Sequence, residues 1–334
     1  MKPLLRRLLL VLSIILCLSL LAFSQTRLGS YLLSGALGHI RILAARESID
    51  ELLADPDLDA TIRSQLQLVK DVRAFAITEL KLPHSNSYTS ITFIQRKYPG
   101  WNVYAAPQLS TQPQRWCFWV VGCVVYRGYF SRQQAQDFAA DFAAENGFDT
   151  HVSPFIGYSS LGYLPDPLLG TQLRLPPGRL AALVIHEMAH QRLYIPGKSK
   201  INEAFARVVE REGVSRWLQH KGELGQLKAL QQHWQRVETH AQMVIATRNA
   251  LSRIYSSSLA AEEKLRQKNV LLLKLQQRLC GEKCAHLTHP GINNASLIPY
   301  TTYSEELAFM QELFAQVNND FAAFYKLVET RFLR

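Results

Sequence analysis

The feature that most constrains this chain is the stretch at residues 183–206, which reads LVIHEMAHQRLYIPGKSKINEAFA. His186 and His190 are four residues apart, so on a helix they lie one turn apart on the same face. The Pro-rich segment 176–178 before them and Pro196 with Gly197 after them predict a bounded helix of about 18 residues. The stretch therefore predicts a helix, a turn and a second helix that folds back on the first.

Two imidazoles at this spacing can bind one metal ion, and the intervening HExxH pattern is typical of zinc peptidases. Glu187 follows His186 and would lie beside the metal without binding it. That is the place of a general base that acts on water. The alternative is an ordinary helix whose histidines are satisfied in the core or at the surface.

A catalytic zinc ion takes three protein ligands and keeps one position open, and two histidines with one glutamate form a common set. Glu203 lies in the segment INEAFA, and no histidine occurs between His190 and His220. Ser199 is predicted to be the N-cap of this second helix. We therefore expect one Zn²⁺ ion, held by His186, His190 and Glu203.

The first 24 residues, MKPLLRRLLLVLSIILCLSLLAFS, combine a basic start with an apolar run. This pattern predicts an export signal whose N-terminus stays in the cytoplasm. The apolar run is shorter than the roughly 20 residues of a typical bilayer span, and Ala22 and Ser24 would permit cleavage before Gln25. Cleavage and retention as an inner-membrane anchor are both open, and either places the protein in the cell envelope, on the periplasmic side.

The remaining chain, residues 25–334, is predicted to form a single metallopeptidase-like domain. Hydrophobic residues make up 48% of the sequence, which excludes a disordered chain. Residues 25–175 combine helical periodicity with short strand-like runs between residues 90 and 129, residues 176–220 hold the zinc helices, and residues 221–334 are helical. The prediction is a mainly helical α+β fold with a small antiparallel sheet.

The net charge of +10 is scattered over helical segments rather than gathered in one basic block. We read it as solvated helix surface, so no nucleic-acid partner is expected. The expected partners are a peptide substrate and, through the N-terminal segment, the membrane. The oligomeric state is not determined by the sequence.

Four cysteines follow the N-terminal segment, in two close pairs: Cys117 with Cys123, and Cys280 with Cys284. In an exported chain an even set favours disulfides, although sequence alone does not determine their pairing. The rival interpretation is a second zinc site made of Cys280, Cys284, His286 and His289.

The HExxH motif followed by Asn-Glu-x-x-Ala resembles the gluzincin metallopeptidases, the group that contains thermolysin and the zinc aminopeptidases. A closer resemblance is to a family of bacterial exported proteins described as putative aminopeptidases. It rests on the segments WNVYAAP, WCFWVVGCVVYRGYFS, YSSLGYLPDPLL, VIHEMAHQRLYIPG, NEAFARVVEREG and NNASLIPYTTY. The resemblance implies a gluzincin-like pair of zinc helices and an aminopeptidase activity.

Two tyrosines and two glutamates are further candidates for roles in such an aminopeptidase. Tyr303 is predicted to stabilise the transition-state oxyanion, with Tyr158 as a second candidate. Glu210 and Glu212 could bind the free ammonium of a substrate, although a solvated helix face explains them equally well.

The expected function is zinc-dependent hydrolysis of peptide bonds in the cell envelope, as an aminopeptidase. Two alternatives stay open: an endopeptidase of the same chemistry, and a non-enzymatic envelope protein whose metal only braces two helices.

Overall fold

The computed structural model describes residues 2–118, 122–157, 159–160, 164–284, 286–288, 291–302 and 306–333. The chain is 64% helical and carries small, mostly antiparallel sheets. The predicted mainly helical α+β fold is confirmed.

The helices of the described chain are α1 (Lys2–Ser24), α2 (Arg27–Ala44), α3 (Ile49–Ala54), α4 (Ala60–Thr78), α5 (Arg132–Asn146), α6 (Pro177–Arg192), α7 (Ser199–His220), α8 (Leu224–Tyr255), α9 (Ala261–Cys280), α10 (Asn294–Thr302), α11 (Leu307–Gln316) and α12 (Phe321–Phe332). The strands are β1 (Glu47–Ser48), β2 (Ser90–Thr92), β3 (Gly100–Pro107), β4 (Trp116–Phe118), β5 (Gly122–Val124), β6 (Arg127–Tyr129), β7 (Phe148–Phe155) and β8 (Leu168–Leu169).

The larger sheet has the order β6-β3-β7, with β3 antiparallel to both neighbours. Helix α5 packs on β3 and β7. The Ser131 side chain accepts a hydrogen bond from the backbone N–H of Gln134, and Gly147 ends the helix with φ of 65°, a conformation that glycine adopts readily. Both helix ends follow the ordinary capping preferences of serine and glycine.

A second small sheet has the order β1-β2-β8, and its β2–β8 pair is parallel. This pair departs from the expected antiparallel arrangement. The reason is that β2 and β8 are separated along the chain by the whole β3–β7 region, so a long crossover joins them instead of a hairpin.

Helix α6 lies in the main hydrophobic core, where it packs against α4 and α7. Its Leu180, Val184, Ile185 and Met188 are fully buried. Because the core-facing residues are interleaved with the HExxH residues, the packing of α6 fixes the direction in which the motif points.

The turn between α6 and α7 differs from the prediction. Lys198, not Ser199, occupies the N-cap position of α7, and no side chain caps that helix. Instead, the Asn202 side chain accepts from the N–H of Ile195 at 2.9 Å and donates to its carbonyl at 2.9 Å. Asn202 therefore ties the turn to α7, and a serine cap is not needed.

Helices α8 and α9 pack on each other around Val244, Leu251, Leu272 and Leu275. The two helices thus form a helical hairpin, in keeping with the helical character predicted for residues 221–334. Cys117 and Cys123 form a disulfide between the paired strands β4 and β5.

Within the part of the chain that is described, no helix is long and apolar enough to cross a membrane.

Candidate metal centre

The HExxH residues lie on the last turns of α6, facing α7. His186 and His190 are four positions apart on this helix, and their Nε2 atoms lie 3.2 Å apart. The rings are nearly perpendicular, at 84°. Both imidazoles thus direct the same nitrogen towards one point, as the helical spacing predicts.

Glu203, on the second turn of α7, completes this group. Its Oε2 lies 3.5 Å from Nε2 of His186, and its Oε1 lies 3.7 Å from Nε2 of His190. The possible ligand atoms of the three residues all lie within 4.8 Å of one another. The three residues singled out by the sequence are therefore brought together.

These distances fit a metal ion. Ligand atoms bonded at about 2.0–2.2 Å in a tetrahedral site lie about 3.3–3.6 Å apart. The three observed separations of 3.2, 3.5 and 3.7 Å bracket that range. The donor set, two nitrogens and a carboxylate, is one that zinc accepts.

Glu210, considered from the sequence as a ligand of a substrate ammonium, lies beside His186. Its Oε2 lies 2.9 Å from Nδ1 of His186, the ring nitrogen opposite the one that faces Glu203. A carboxylate at this position fixes the tautomer and orientation of a metal-binding histidine. Glu210 follows Glu203 by seven residues, two turns along the same face of α7, and this spacing is the signal that could have identified it.

Glu212, the other carboxylate considered for a substrate ammonium, lies away from this group. It accepts a hydrogen bond of 2.8 Å from Nε of Arg216, four residues later on the same helix. Glu212 thus pairs with a cation of its own helix.

The two histidines have opposite protonation tendencies. Burial lowers the pKa of His190 to about 4, so its ring is neutral at pH 7, the form that binds metals. Its Nδ1 is buried without a hydrogen-bond partner in the described structure. For His186, burial lowers the pKa, but Glu203 and Glu210 outweigh it and raise the pKa well above its ordinary value.

Glu203 is charged although it lies in this enclosed site. Burial raises its pKa, but the hydrogen bond from His186 and the neighbouring positive groups outweigh burial and lower it. Two carboxylates therefore face the imidazoles, and a divalent cation would be electrostatically favoured among them.

Glu187 lies on α6 beside the group but is not part of it. The side chain is buried, and burial raises its pKa to about 7, with the charges of Glu203 and Asp166 adding to the increase. Gly157, just after β7, packs directly on the carboxylate, since a Cβ at residue 157 would lie 2.1 Å from Oε1 of Glu187. A side chain at residue 157 would therefore have to displace this carboxylate, and sequence alone did not identify Gly157 because it is brought to α6 only by the tertiary fold.

A tyrosine that sequence reasoning missed also lies near these groups. Burial raises the pKa of Tyr126, and the charges of Glu203 and Glu187 raise it further. Its ring centroid lies 6.0 Å from that of Tyr104. Tyr126 is therefore a neutral hydroxyl donor close to the site, whereas Tyr303 and Tyr158 lie outside the described residues.

The described residues do not support the alternative zinc site made of Cys280, Cys284, His286 and His289. Cys280 is disulfide-bonded and so is not a free thiolate. The side chain of Cys284 and the whole of His289 lie outside the described parts of the chain. Among the described side chains, the group that could hold a metal is His186, His190 and Glu203.

Fold and site together define a helical α+β protein in which the HExxH histidines and Glu203 form a group that could hold a metal ion, between two packed helices. Residues 30–332 match the sequence profile of the family described as "Putative aminopeptidase", and the chain belongs to that family. No curated protein and no solved structure matches the chain.

Proposed function

We propose that this protein is a zinc-dependent aminopeptidase of the cell envelope. The observation that carries the proposal is the convergence of His186, His190 and Glu203 with the buried carboxylate of Glu187 at their side. The family supports a peptidase, and the two-histidine, one-glutamate donor set supports zinc.

A zinc ion held by these three residues would polarise a peptide carbonyl and lower the pKa of water. Glu187 accepts a proton from the attacking water and returns it to the nitrogen of the departing amine. A pKa near 7 suits a group that must take up and release a proton at neutral pH. Glu210 keeps Nδ1 of His186 occupied, so that Nε2 of His186 presents its lone pair.

Peptide hydrolysis also needs a donor for the oxyanion of the transition state. We propose Tyr303 for this role, with Tyr126 as the second candidate because its neutral phenol lies near Glu203 and Glu187. Replacement of the correct tyrosine by phenylalanine should lower kcat by about 100-fold or more. The same replacement at the other position should leave kcat nearly unchanged.

The basic start and the apolar run of the N-terminal segment support export to the periplasmic side of the envelope. Fractionation of cells that express the full chain tests this location. A protein found in the cytoplasm would overturn it.

The alternative of a purely structural metal is less well supported. Structural zinc sites almost always use four protein ligands, whereas three converge among the described residues. Burial of the Glu187 carboxyl group also costs free energy, and a structural ion would not use that group.

The activity is tested with purified full-length chain and a panel of peptides with free or acetylated N-termini. We expect cleavage that a chelator abolishes and Zn²⁺ restores, and that N-terminal acetylation prevents. Cleavage of the acetylated peptides would identify an endopeptidase instead. Failure to cleave any peptide with zinc bound would favour the structural metal.

A further inference from the structure

Helix α2 exposes a continuous strip of large apolar side chains. Five of its residues are at least 42% exposed: Leu28, Leu32, Leu33, Leu37 and Ile40. At 3.6 residues per turn these five lie along one side of the helix, which we call the outer face of α2. Soluble proteins rarely leave so continuous an apolar surface in contact with water, and such a surface marks a site of interaction.

The opposite side of α2 is packed on the body of the protein. The ring centroid of Tyr31 lies 5.2 Å from that of Tyr129 on β6, and the guanidinium of Arg127 lies 3.8 Å from the centre of the Tyr31 ring. Further along the helix, Ile42 is buried, and its carbonyl accepts a hydrogen bond of 2.8 Å from the hydroxyl of Thr92. These contacts fix the rotation of α2 about its axis, so the outer face is held in one direction.

The turn from α1 to α2 is also closely packed. The Thr26 side chain accepts a hydrogen bond of 3.0 Å from the N–H of Gly29 and so caps α2. A Cβ at residue 29 would lie 1.9 Å from the carbonyl oxygen of Phe23, the last aromatic residue of α1. Because the Phe23 side chain is itself exposed, it extends the apolar surface at the start of the outer face.

The charges of this region have a single sign. Residues 1–46 contain no Asp or Glu, and their basic residues are Lys2, Arg6, Arg7, Arg27, Arg41 and Arg46. Arg27 forms an ion pair of 2.5 Å with Glu145, whereas Arg41 is exposed next to Ile40 of the outer face. An apolar helix face with basic residues at its border is typical of helices that lie on membranes containing anionic lipids.

A second copy of the chain would fit the outer face less well. In a dimer with twofold symmetry the same face meets itself, so the like charges of the two α2 helices would be brought together. Anionic headgroups attract Arg41 instead, and the stem of a long basic side chain can lie among apolar groups while its charge reaches the headgroups. The charge of α2 therefore favours a lipid surface.

We propose that the outer face of α2 binds the surface of a phospholipid bilayer, with its leucines among the acyl chains of one leaflet and Arg41 at the anionic headgroups. A helix that lies in the surface does not have to cross the membrane. Residues 27–44 follow the cleavage position predicted before Gln25, so this contact keeps the protein at the membrane even when the N-terminal segment is removed. The proposal does not depend on the peptidase activity.

Depth-dependent fluorescence quenching tests the proposal on the full-length chain. An environment-sensitive nitrobenzoxadiazole label is attached to Ile40→Cys in a Cys17→Ser background, and the signal of that background without the added cysteine is subtracted. The vesicles contain phosphatidylcholine with about 30% phosphatidylglycerol, and their acyl chains carry doxyl quenchers. Quenching should be at least about threefold stronger than for the same label at Leu224→Cys, an exposed leucine at the start of α8.

The double substitution Leu33→Gln with Leu37→Gln should reduce the quenching at residue 40 to about that of the residue 224 label. Both side chains are exposed, so the fold should tolerate the change. Helix α1 is unaltered in this variant, so the loss would belong to the outer face and not to the N-terminal segment. The matched control, Leu259→Gln with Val270→Gln, replaces two exposed apolar residues outside α2 and should keep the full quenching.

Lipid composition tests the role of charge. In vesicles of phosphatidylcholine alone, the quenching at residue 40 should be lower by about twofold or more. The proposal is overturned by equal quenching at residues 40 and 224, by unchanged quenching in the Leu33 and Leu37 double variant, or by equal quenching in the two kinds of vesicle. A label that is shielded without vesicles, in a chain that sediments as a dimer, would assign the outer face to a second copy and also overturn it.

Discussion

The Nδ1 atom of His186 lies 2.9 Å from Oε2 of Glu210, while Nε2 of the same ring faces Glu203 at 3.5 Å. Glu210 thus orients the His186 ring, and Glu203 lies beside the ring nitrogen that we propose as a metal ligand. This relationship gives α7 two roles in the site, since both carboxylates come from one face of that helix.

Glu210→Gln should weaken zinc affinity by about 10- to 100-fold, because the amide supports the ligand ring less well than the charged carboxylate. Competition titration with a metal-binding dye measures the change. Glu212→Gln is the control, since Glu212 pairs with Arg216 and should leave the affinity unchanged. Equal affinities for the Glu210 variant and the wild type would refute an orienting role.

Zinc should raise the unfolding temperature of the wild-type protein, since a ligand that binds only the folded chain stabilises it. His190→Ala removes one of three ligands and should abolish the increase. His286→Ala, an exposed residue of the rejected cysteine site, should keep it. Differential scanning calorimetry with and without zinc measures all three proteins. The proposed ligand set is wrong if the His190 variant gains as much as the wild type.

Gly157→Ala should displace the Glu187 carboxylate, because the added Cβ would lie 2.1 Å from its Oε1. The end of a glutamate side chain can move, so the protein should fold and keep its zinc. Because the proposed base leaves its position, kcat should decrease by about 10-fold or more. Steady-state kinetics with a metal analysis checks both parts. Gly225→Ala on α8, where a new Cβ meets no atom within 4 Å, should leave kcat unchanged.

Asp166 provides a prediction on stability and pH. It is fully buried, and burial raises its pKa above the ordinary value of 3.8, against the opposing effects of hydrogen bonds from Ser160 and Ser159 and the nearby His39. A carboxyl group with a raised folded-state pKa binds its proton more tightly in the native state. Its contribution to stability is therefore present at low pH and is lost as pH rises through the folded-state pKa.

The free energy of unfolding of the wild type should consequently decrease, relative to that of Asp166→Asn, as pH rises from about 3 to 7. Urea denaturation of both proteins across this range measures the difference. Glu187 contributes with the same sign. The charge of Asp166 helps to raise the pKa of Glu187 in the wild type, and this effect is lost in Asp166→Asn. A difference that stays constant with pH would contradict the assignment.

The sequence predicted those parts of the site that depend on local geometry. The four-residue spacing of His186 and His190 implies convergence on any helix, and Glu203 follows from the need for a third ligand on the returning helix. Ser131 and Gly147 likewise bound α5 as their capping preferences indicate. Such features need only the periodicity of one or two adjacent elements.

The remaining features depend on contacts between distant segments. Gly157 reaches Glu187 only because the segment just after β7 lies against α6, and Tyr126 approaches Glu203 from the loop between β5 and β6. The N-cap of α7 was predicted wrongly, since Asn202 fixes the turn through the backbone of Ile195.

The most direct test of the central claim compares peptide hydrolysis and zinc content in the wild type and in Glu187→Gln. The variant keeps all three ligands, so it should bind one zinc ion per chain with little change in affinity. Its kcat should be lower by about 10²- to 10⁴-fold, the usual contribution of a general base. A Glu187→Gln protein that retains its zinc and hydrolyses peptides at the wild-type rate would contradict the account.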